Sequence, residues 1–533
     1  MPQPIHKGPF VFCPKSGKFI GFTFSPKFKS TFKPKFFLLR WLLPLVGLAA
    51  LVWYLLRVIP KPSRATYPCQ QVAAPLALGF LASFTTAIIA FRKARHFVWQ
   101  ARYGLAAVCG IIAAVATVES IQLSNSSASG AWAPTDKPDA PIGVARGINP
   151  GRVVWVRDPS AVKWDGRSGH WWDPAATDQA KVDAMVAKSV VALTGAKDDA
   201  AAWTALFTYY NKTHGKGEAG YVKGQKILIK INQNTARDGH AGNGNNGNEN
   251  STNGNPHLIL ATLKQLVTKG GVAQDDIIVY DLSRFITDAI YVPCHKEFPN
   301  VHWVEVEKGG GDGREAVPQE RDWIQNALTF SDPSRGLGRN LPKFITSASY
   351  MINMAVMKNH GDQGATLVFK NHFGTIHGLN HDAISPHRMG ESNPLVDVMA
   401  SKDVGEKTFL FMIDTLYGAD GPDSTPSKWK MAPFKDSFPA SLFVSQDGVA
   451  IESVGFDFVN TEWGCKPFTD NIMHEAALAD APPSGKKYGP VSLGVHEHWN
   501  NPTDMKYSRN LAPTGKGIEL MPILMPAAGV GLR

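Results

Sequence analysis

Five apolar runs, each ending in polar or charged residues, constrain the fold of this 533-residue chain more than any other feature. KILIKI leads into Asn232 and Asn234, DIIVY into Asp281 and Ser283, and YMINMAVM into Lys358 and His360. TFLFMI leads into Asp414, and ASLFV into Ser445 and Asp447. Unbroken runs of β-branched, aliphatic and aromatic residues read as strands covered on both faces. Ligands of such sheets bind outside the carboxyl ends of the strands. The pattern predicts an α/β fold class, a mostly parallel sheet with helices on both faces, with a polar cleft where these runs end.

One unit is explicit. KILIKIN is followed by a Gly/Asn tract, residues 239–255, then by PHLILATLKQLVTKG and DIIVYD. Asn255 suits the N-cap of a helix and Pro256 its first position, while Gly270 and Gly271 stop it. Strand, helix and strand of this size make a βαβ unit. The tract then sits between a strand's carboxyl end and a helix's amino end, where it suits an anion or a mobile cover, or is a loose insertion without a role.

The amino-terminal quarter reads differently. Phe36–Leu55 is apolar and long enough to cross a bilayer, and Gln71–Phe91 and Tyr103–Leu123 are two further candidate spans. Lysines 7, 15, 18, 27, 29, 33 and 35 precede the first span, and Arg92, Lys93, Arg95 and Arg102 follow the second. By the positive-inside rule both segments face the cytoplasm, with Arg57, Lys61 and Arg64 as a mild counter-signal. The expected organisation is a basic cytoplasmic segment at 1–35, three transmembrane helices at 36–123 and a Ser/Ala/Pro-rich flexible linker at 124–142. An extracytoplasmic or periplasmic α/β domain follows at 143–533, so the localisation expected is an inner-membrane, multi-pass anchor. Membrane lipids and other membrane proteins are the partners this organisation implies.

The net charge of +10 does not point to nucleic acid. Residues 1–123 hold 15 of the 55 basic and 1 of the 45 acidic residues, which leaves the remainder slightly acidic. Of five cysteines, Cys294 and Cys465 fall in the large domain, where a disulfide between them is one option. No Cys-x-x-Cys spacing exists, so no iron–sulfur cluster is expected.

Lys358 to Arg388 is the densest polar stretch and holds His360, His372, His377, His381 and His387. Imidazole is the commonest transition-metal ligand, but hydrogen-bonded structural histidines fit the spacing as well, and no HExxH occurs. Lys230, Lys358 and Lys370 at strand ends can hold a phosphate or carboxylate as point charges. Lys230, inside an apolar strand, needs a counter-charge or a ligand if buried. Asp414, Asp420, Asp423, Asp447 and Glu452 form an acidic set suited to a hard cation. Within it Asp447 equally suits capping a helix, and Asp420 a turn.

These residues, in this order, resemble the domain of unknown function 362 family. The pieces that carry the resemblance are KILIKINQN, IIVYD, INMAVMKNHGDQGATLVFKNHFGTIHG, FMIDTLYGADGP and SLFVSQDGVAIESVGFDF, spread from Val153 to Trp463. The resemblance implies an α/β domain whose shared polar residues are Lys230, Asn232, Lys358, His360, Lys370, Asn371, Asp414 and Asp447. Two departures matter. The ferredoxin-like cysteine cluster of many members is absent, so redox roles do not transfer. AIES stands where a GAxD-like pattern is common, which leaves Glu452 outside the expected site.

The reading these signals support is a polar strand-end cleft acting on an anionic small molecule or envelope component with the help of a divalent metal. Lys358, His360 and Asp414 are the catalytic candidates, and Lys230, Asn232, Lys370 and Asn371 the substrate-binding ones. Asp414, Asp447 and His372 are the metal candidates. The alternative is a non-catalytic subunit or binding module of a membrane complex.

Overall fold

A computed structural model of the chain describes residues 5–7, 10–12, 19–22, 48–53, 55–56, 132–243, 248–306, 312–335, 338–361, 364–376 and 388–525. The chain divides into two compact units, 1–126 and 127–533. In the first, Ile5–Lys7, Phe10–Phe12 and Phe19–Phe22 form a three-stranded antiparallel sheet, and residues 48–53 and 55–56 are helical.

The expected anchor, and the inner-membrane localisation built on it, are corrected here. Among the described residues no helix is long and apolar enough to cross a membrane. Most of 36–123, which carries the three expected spans, lies outside the described residues.

The second unit is built on a ten-stranded sheet. Its strands are β1 Arg152–Arg157, β2 Ile227–Lys230, β3 Ile277–Tyr280, β4 His302–Glu305, β5 Arg314–Ala316, β6 Tyr350–His360, β7 Gly364–Thr366, β8 Thr408–Ala419, β9 Ser441–Ser445 and β10 Glu519–Leu524. They lie in the order β10-β1-β9-β8-β6-β2-β3-β4-β5, with β7 paired to β6. The sheet is mixed. From β8 to β5 neighbours are parallel, as are β10 and β1, but β9 is antiparallel to both β8 and β1, and β7 to β6.

Alternate residues of each strand feed two cores. Val153, Trp155, Leu228, Ile278, Tyr280 and Met351 face one, and Val154, Val156, Ile227, Ile229, Val279 and Ile352 face the other. The first core is filled from α6 Pro394–Ala400, α7 Gly448–Trp463 and α8 Phe468–Ala477. The second is filled from α1 Gln179–Thr194, α2 Asp199–Thr213, α3 Pro256–Thr268 and α4 Asp288–Glu297. A short helix, α5 Val368–Asn371, follows β7. Cys294 belongs to the second core and Cys465 to the first, so both are free thiols on opposite sides of the sheet.

The βαβ unit folds on its local signals. Asn255 accepts hydrogen bonds from the amides of His257 and Leu258, Pro256 opens α3, and β2 and β3 lie side by side in parallel. The Gly/Asn tract before α3 is structured where it is described. Ser251, Thr252, Asn253 and Asn255 are buried, and Asn253 binds the amide and hydroxyl of Thr235 at 3.0 Å. The expected linker is packed down as well from residue 132. Trp132 meets Phe456 edge to face, and its carbonyl accepts from Asn460 of α7 at 2.6 Å.

Candidate functional site

Because β9 runs against its neighbours, only four of the five apolar runs end at one rim. Ser445 pairs with Phe411 and Val153, near the amino ends of β8 and β1, so Asp447 lies at the opposite edge. There its carboxylate caps α7, accepting from the amides of Val449 and Ala450, and also from those of Arg146 and Val495. It is a structural anchor remote from the strand-end cleft, and the expected metal role for Asp447 is corrected accordingly.

At the rim of β2, β3 and β6 the polar groups converge. Lys230 is 1 % exposed, and its Nζ donates to Ile231 O at 2.5 Å, Asp281 Oδ2 at 3.1 Å and Asn371 Oδ1 at 3.4 Å. Asp281 also accepts from the Gln233 amide and from the amide and hydroxyl of Ser283. Burial lowers the Lys230 pKa and Asp281 opposes that shift. Asn371 ties the pair to the sheet, donating to Asn353 Oδ1 at 2.8 Å and accepting from Asn232 Nδ2 at 3.2 Å. The charge of Lys230 is thus matched from within the protein by Asp281, and both residues line the cleft above them.

Gly374 packs on this ion pair, and a Cβ there would stand 2.7 Å from Asp281 Oδ1 and 2.9 Å from Lys230 Nζ. Gly374→Ala is therefore expected to lower stability by about 1–3 kcal/mol through overpacking, read as a lower urea midpoint with an unchanged m value. An unchanged midpoint would show that the pair yields freely.

Above the pair lies a cleft of about 220 Å³. Asn232, Asn234, Arg237, Ser283, Arg284, His360, Lys370, Phe373 and Asp423 are among the residues that line it. Arg284 is braced, with Nε donating to Asn234 O at 2.7 Å and Nη1 to Ser283 O at 2.6 Å. Arg237 lies 3.9 Å from Asp423, whose Oδ1 also accepts from Asn234. The Lys370 ammonium sits 4.1 Å from the centre of the Phe373 ring. Arg237 and Arg284 were missed by sequence reasoning. Their signal is one arginine in each loop that leaves the paired strands β2 and β3.

Lys358 and Asp414 sit behind the cleft wall. Lys358 is fully buried and donates to Thr252 O at 2.8 Å and to Pro422 O at 3.4 Å, and Pro422 lines the cleft. Asp414 stands within β8 opposite Val356, and its two oxygens accept from the amides of Asn255 and Leu416. Burial drives the lysine down to about 7 and the carboxyl up to about 7, and each opposes the other's shift. His372 is buried with Nδ1 3.3 Å from Thr375 Oγ1, and burial beside Lys230 lowers its pKa to about 3. Neutral and enclosed, His372 is a core histidine. With Asp447 at the far edge, Asp414, His372 and Asp447 do not form one metal centre. His377, His381 and His387 lie outside the described residues. Glu452 is buried in α7, accepts from the Phe369 amide, and is raised by burial to about 8.

Residues 322–457 match the model of a family described as Domain of unknown function (DUF362). The matched stretch includes Lys358, His360, Lys370, Asn371 and Asp414, and excludes Lys230, Asn232, Arg237 and Arg284. No curated protein matches the chain.

Proposed function

We propose that this chain, which carries the domain of unknown function 362, binds a small anionic molecule in the strand-end cleft and acts on it as an enzyme. The carrying observation is the charge balance of the cleft. Lys230 is matched by Asp281 and Arg237 faces Asp423, while the Arg284 guanidinium is held by main-chain oxygens and forms no ion pair among the described residues. The brace on Arg284 supports a pre-oriented guanidinium, the group best suited to a carboxylate or phosphate. In this reading Arg284 and Lys370 hold the anion, Asn232 and Asn371 shape the floor, and His360 on the wall transfers a proton. A volume of about 220 Å³ suits a small metabolite.

A second reading, a binding module without turnover, draws on the same cleft. It is favoured by the position of Lys358 and Asp414, two of the three catalytic candidates, behind the wall.

Arg284→Met is expected to weaken binding of a small dianion about 10–100-fold, the loss of a charge-assisted hydrogen bond. Calorimetric titration of the full chain with inorganic phosphate and with malonate measures it. Equal affinities in wild type and variant, or no saturable binding of either anion, sinks the anion reading. If binding holds, a His360→Gln variant that processes an identified ligand as fast as wild type removes the proton-transfer role.

A further inference from the structure

A second constellation, separate from the cleft, lies between α8 and the C-terminal segment. Asp470, His474 and His496 are nearly fully buried, and each offers one ligand atom within 4.8 Å of the others. Asp136, from the segment ahead of the sheet, forms a second such group with His496 and His498.

One hydrogen bond fixes the tautomer of His474. Nδ1 of His474 lies 2.9 Å from the main-chain oxygen of Asp470, and a carbonyl only accepts, so Nδ1 carries the proton. Nδ1 of His496 lies 2.9 Å from Ser453 Oγ, a hydroxyl that also has Val449 O at 2.8 Å and Met473 Sδ at 3.2 Å, so the serine fixes the ring's orientation. A neutral imidazole protonated at Nδ1 presents a lone pair at Nε2. Yet His474 Nε2 meets Asp136 Oδ2 at 2.5 Å, and His496 Nε2 faces Asp470 Oδ1 at 3.2 Å without a hydrogen-bonding geometry. At His474 a lone pair against a carboxylate is repulsive, and a proton on the ring or the carboxyl, or a shared divalent cation, relieves it, while His496 Nε2 is a buried ring nitrogen without a hydrogen-bond partner. An Nδ1 tied to an outer oxygen with Nε2 turned inward is the arrangement of metal-bound histidines. His498 differs, since its ring lies between two carboxylates, with Nδ1 2.7 Å from Asp457 Oδ1 and Nε2 2.9 Å from Asp470 Oδ1, and it holds Asp470 in place.

We propose that His474, His496, Asp470 and Asp136 bind one divalent transition cation of the zinc class, with His498 and Ser453 orienting the ligands. Two imidazoles and two carboxylates make a four-coordinate set for zinc, whereas magnesium and calcium favour all-oxygen sites. Ligands about 2.0–2.1 Å from zinc lie roughly 3.3 Å apart, so the His474–Asp136 contact opens slightly on loading. Asp136 has a 43 % exposed side chain and gives the cation its access route. The bound ion then staples the segment around Asp136 to α8.

The test uses the full chain stripped with a chelator and titrated with zinc by calorimetry, and with cobalt by its visible absorption. One equivalent of zinc should bind, magnesium should not compete, and cobalt should give the intense bands of a tetrahedral site. His496→Asn should abolish binding. Asp136→Asn, at an exposed position, should leave the metal-free melting temperature unchanged while weakening zinc at least 10-fold. Absence of saturable zinc or cobalt binding overturns the site, as does stoichiometric binding that both variants leave intact.

Discussion

Asp281→Ala is expected to destabilise the domain by about 3–5 kcal/mol, the usual cost of leaving one partner of a buried ion pair without the other. Lys230 is only 1 % exposed, and its ammonium is held by Ile231 O and Asn371 beneath Gly374, so little water solvates it once Asp281 is gone. Asp281 removal also takes the acceptor from the Gln233 amide and from both donors of Ser283. The double variant Lys230→Met/Asp281→Leu removes both charges and should recover a large part of the loss, since an apolar pair of similar volume avoids desolvation altogether. Urea unfolding of the wild type, the single variant and the double variant measures the effect. A single variant within about 1 kcal/mol of wild type would show that water reaches Lys230, contrary to its burial.

The same ion pair shows what was legible in the sequence. A lysine inside KILIKI demands a counter-charge, and the adjacent strand of the βαβ unit delivers one at Asp281. The unit itself was legible because Asn255, Pro256 and the paired glycines act locally. Strand direction was not. A strand covered on both faces carries the same apolar run whether it lies parallel or antiparallel, so nothing in ASLFV marks its reversal. Asp447 was therefore assigned to the wrong edge, although its aptness as a helix cap could be read.

Low complexity left the role of the Gly/Asn tract open between an anion site, a mobile cover and a loose insertion. Its described part covers the charges behind the cleft, with Thr252 O accepting from Lys358 and the Asn255 amide donating to Asp414. The histidine and aspartate group around α8 was illegible for another reason. Its members are drawn from residue 136, α8 and the segment at 496–498, with no compact spacing to announce them. Only tertiary packing brings those side chains together.

The second large effect concerns Lys358 and Asp414, whose burial shifts have opposite consequences for pH dependence. The lysine is lowered from its ordinary range to about 7. The unfolded chain therefore holds more protons than the folded one between about pH 7 and 10.5, and stability rises with pH across that window. Asp414 is raised to about 7, so the folded chain holds more protons between about pH 4 and 7, and stability falls as pH rises there. Together the two groups place a minimum of their joint contribution near neutrality. Each limb amounts to a few kcal/mol, since one pH unit of displacement is about 1.4 kcal/mol. Lys358→Met is expected to flatten the alkaline limb and extend the acid one to higher pH, because Asp414 loses the cation that opposes its shift. Asp414→Asn should flatten the acid limb and lower the lysine further. Urea midpoints of the three proteins from pH 5 to 10 provide the measurement. If Lys358→Met keeps the alkaline slope of the wild type, the lysine is charged in the folded state throughout, and a neutral amine behind Pro422 has no part in the chemistry of the cleft.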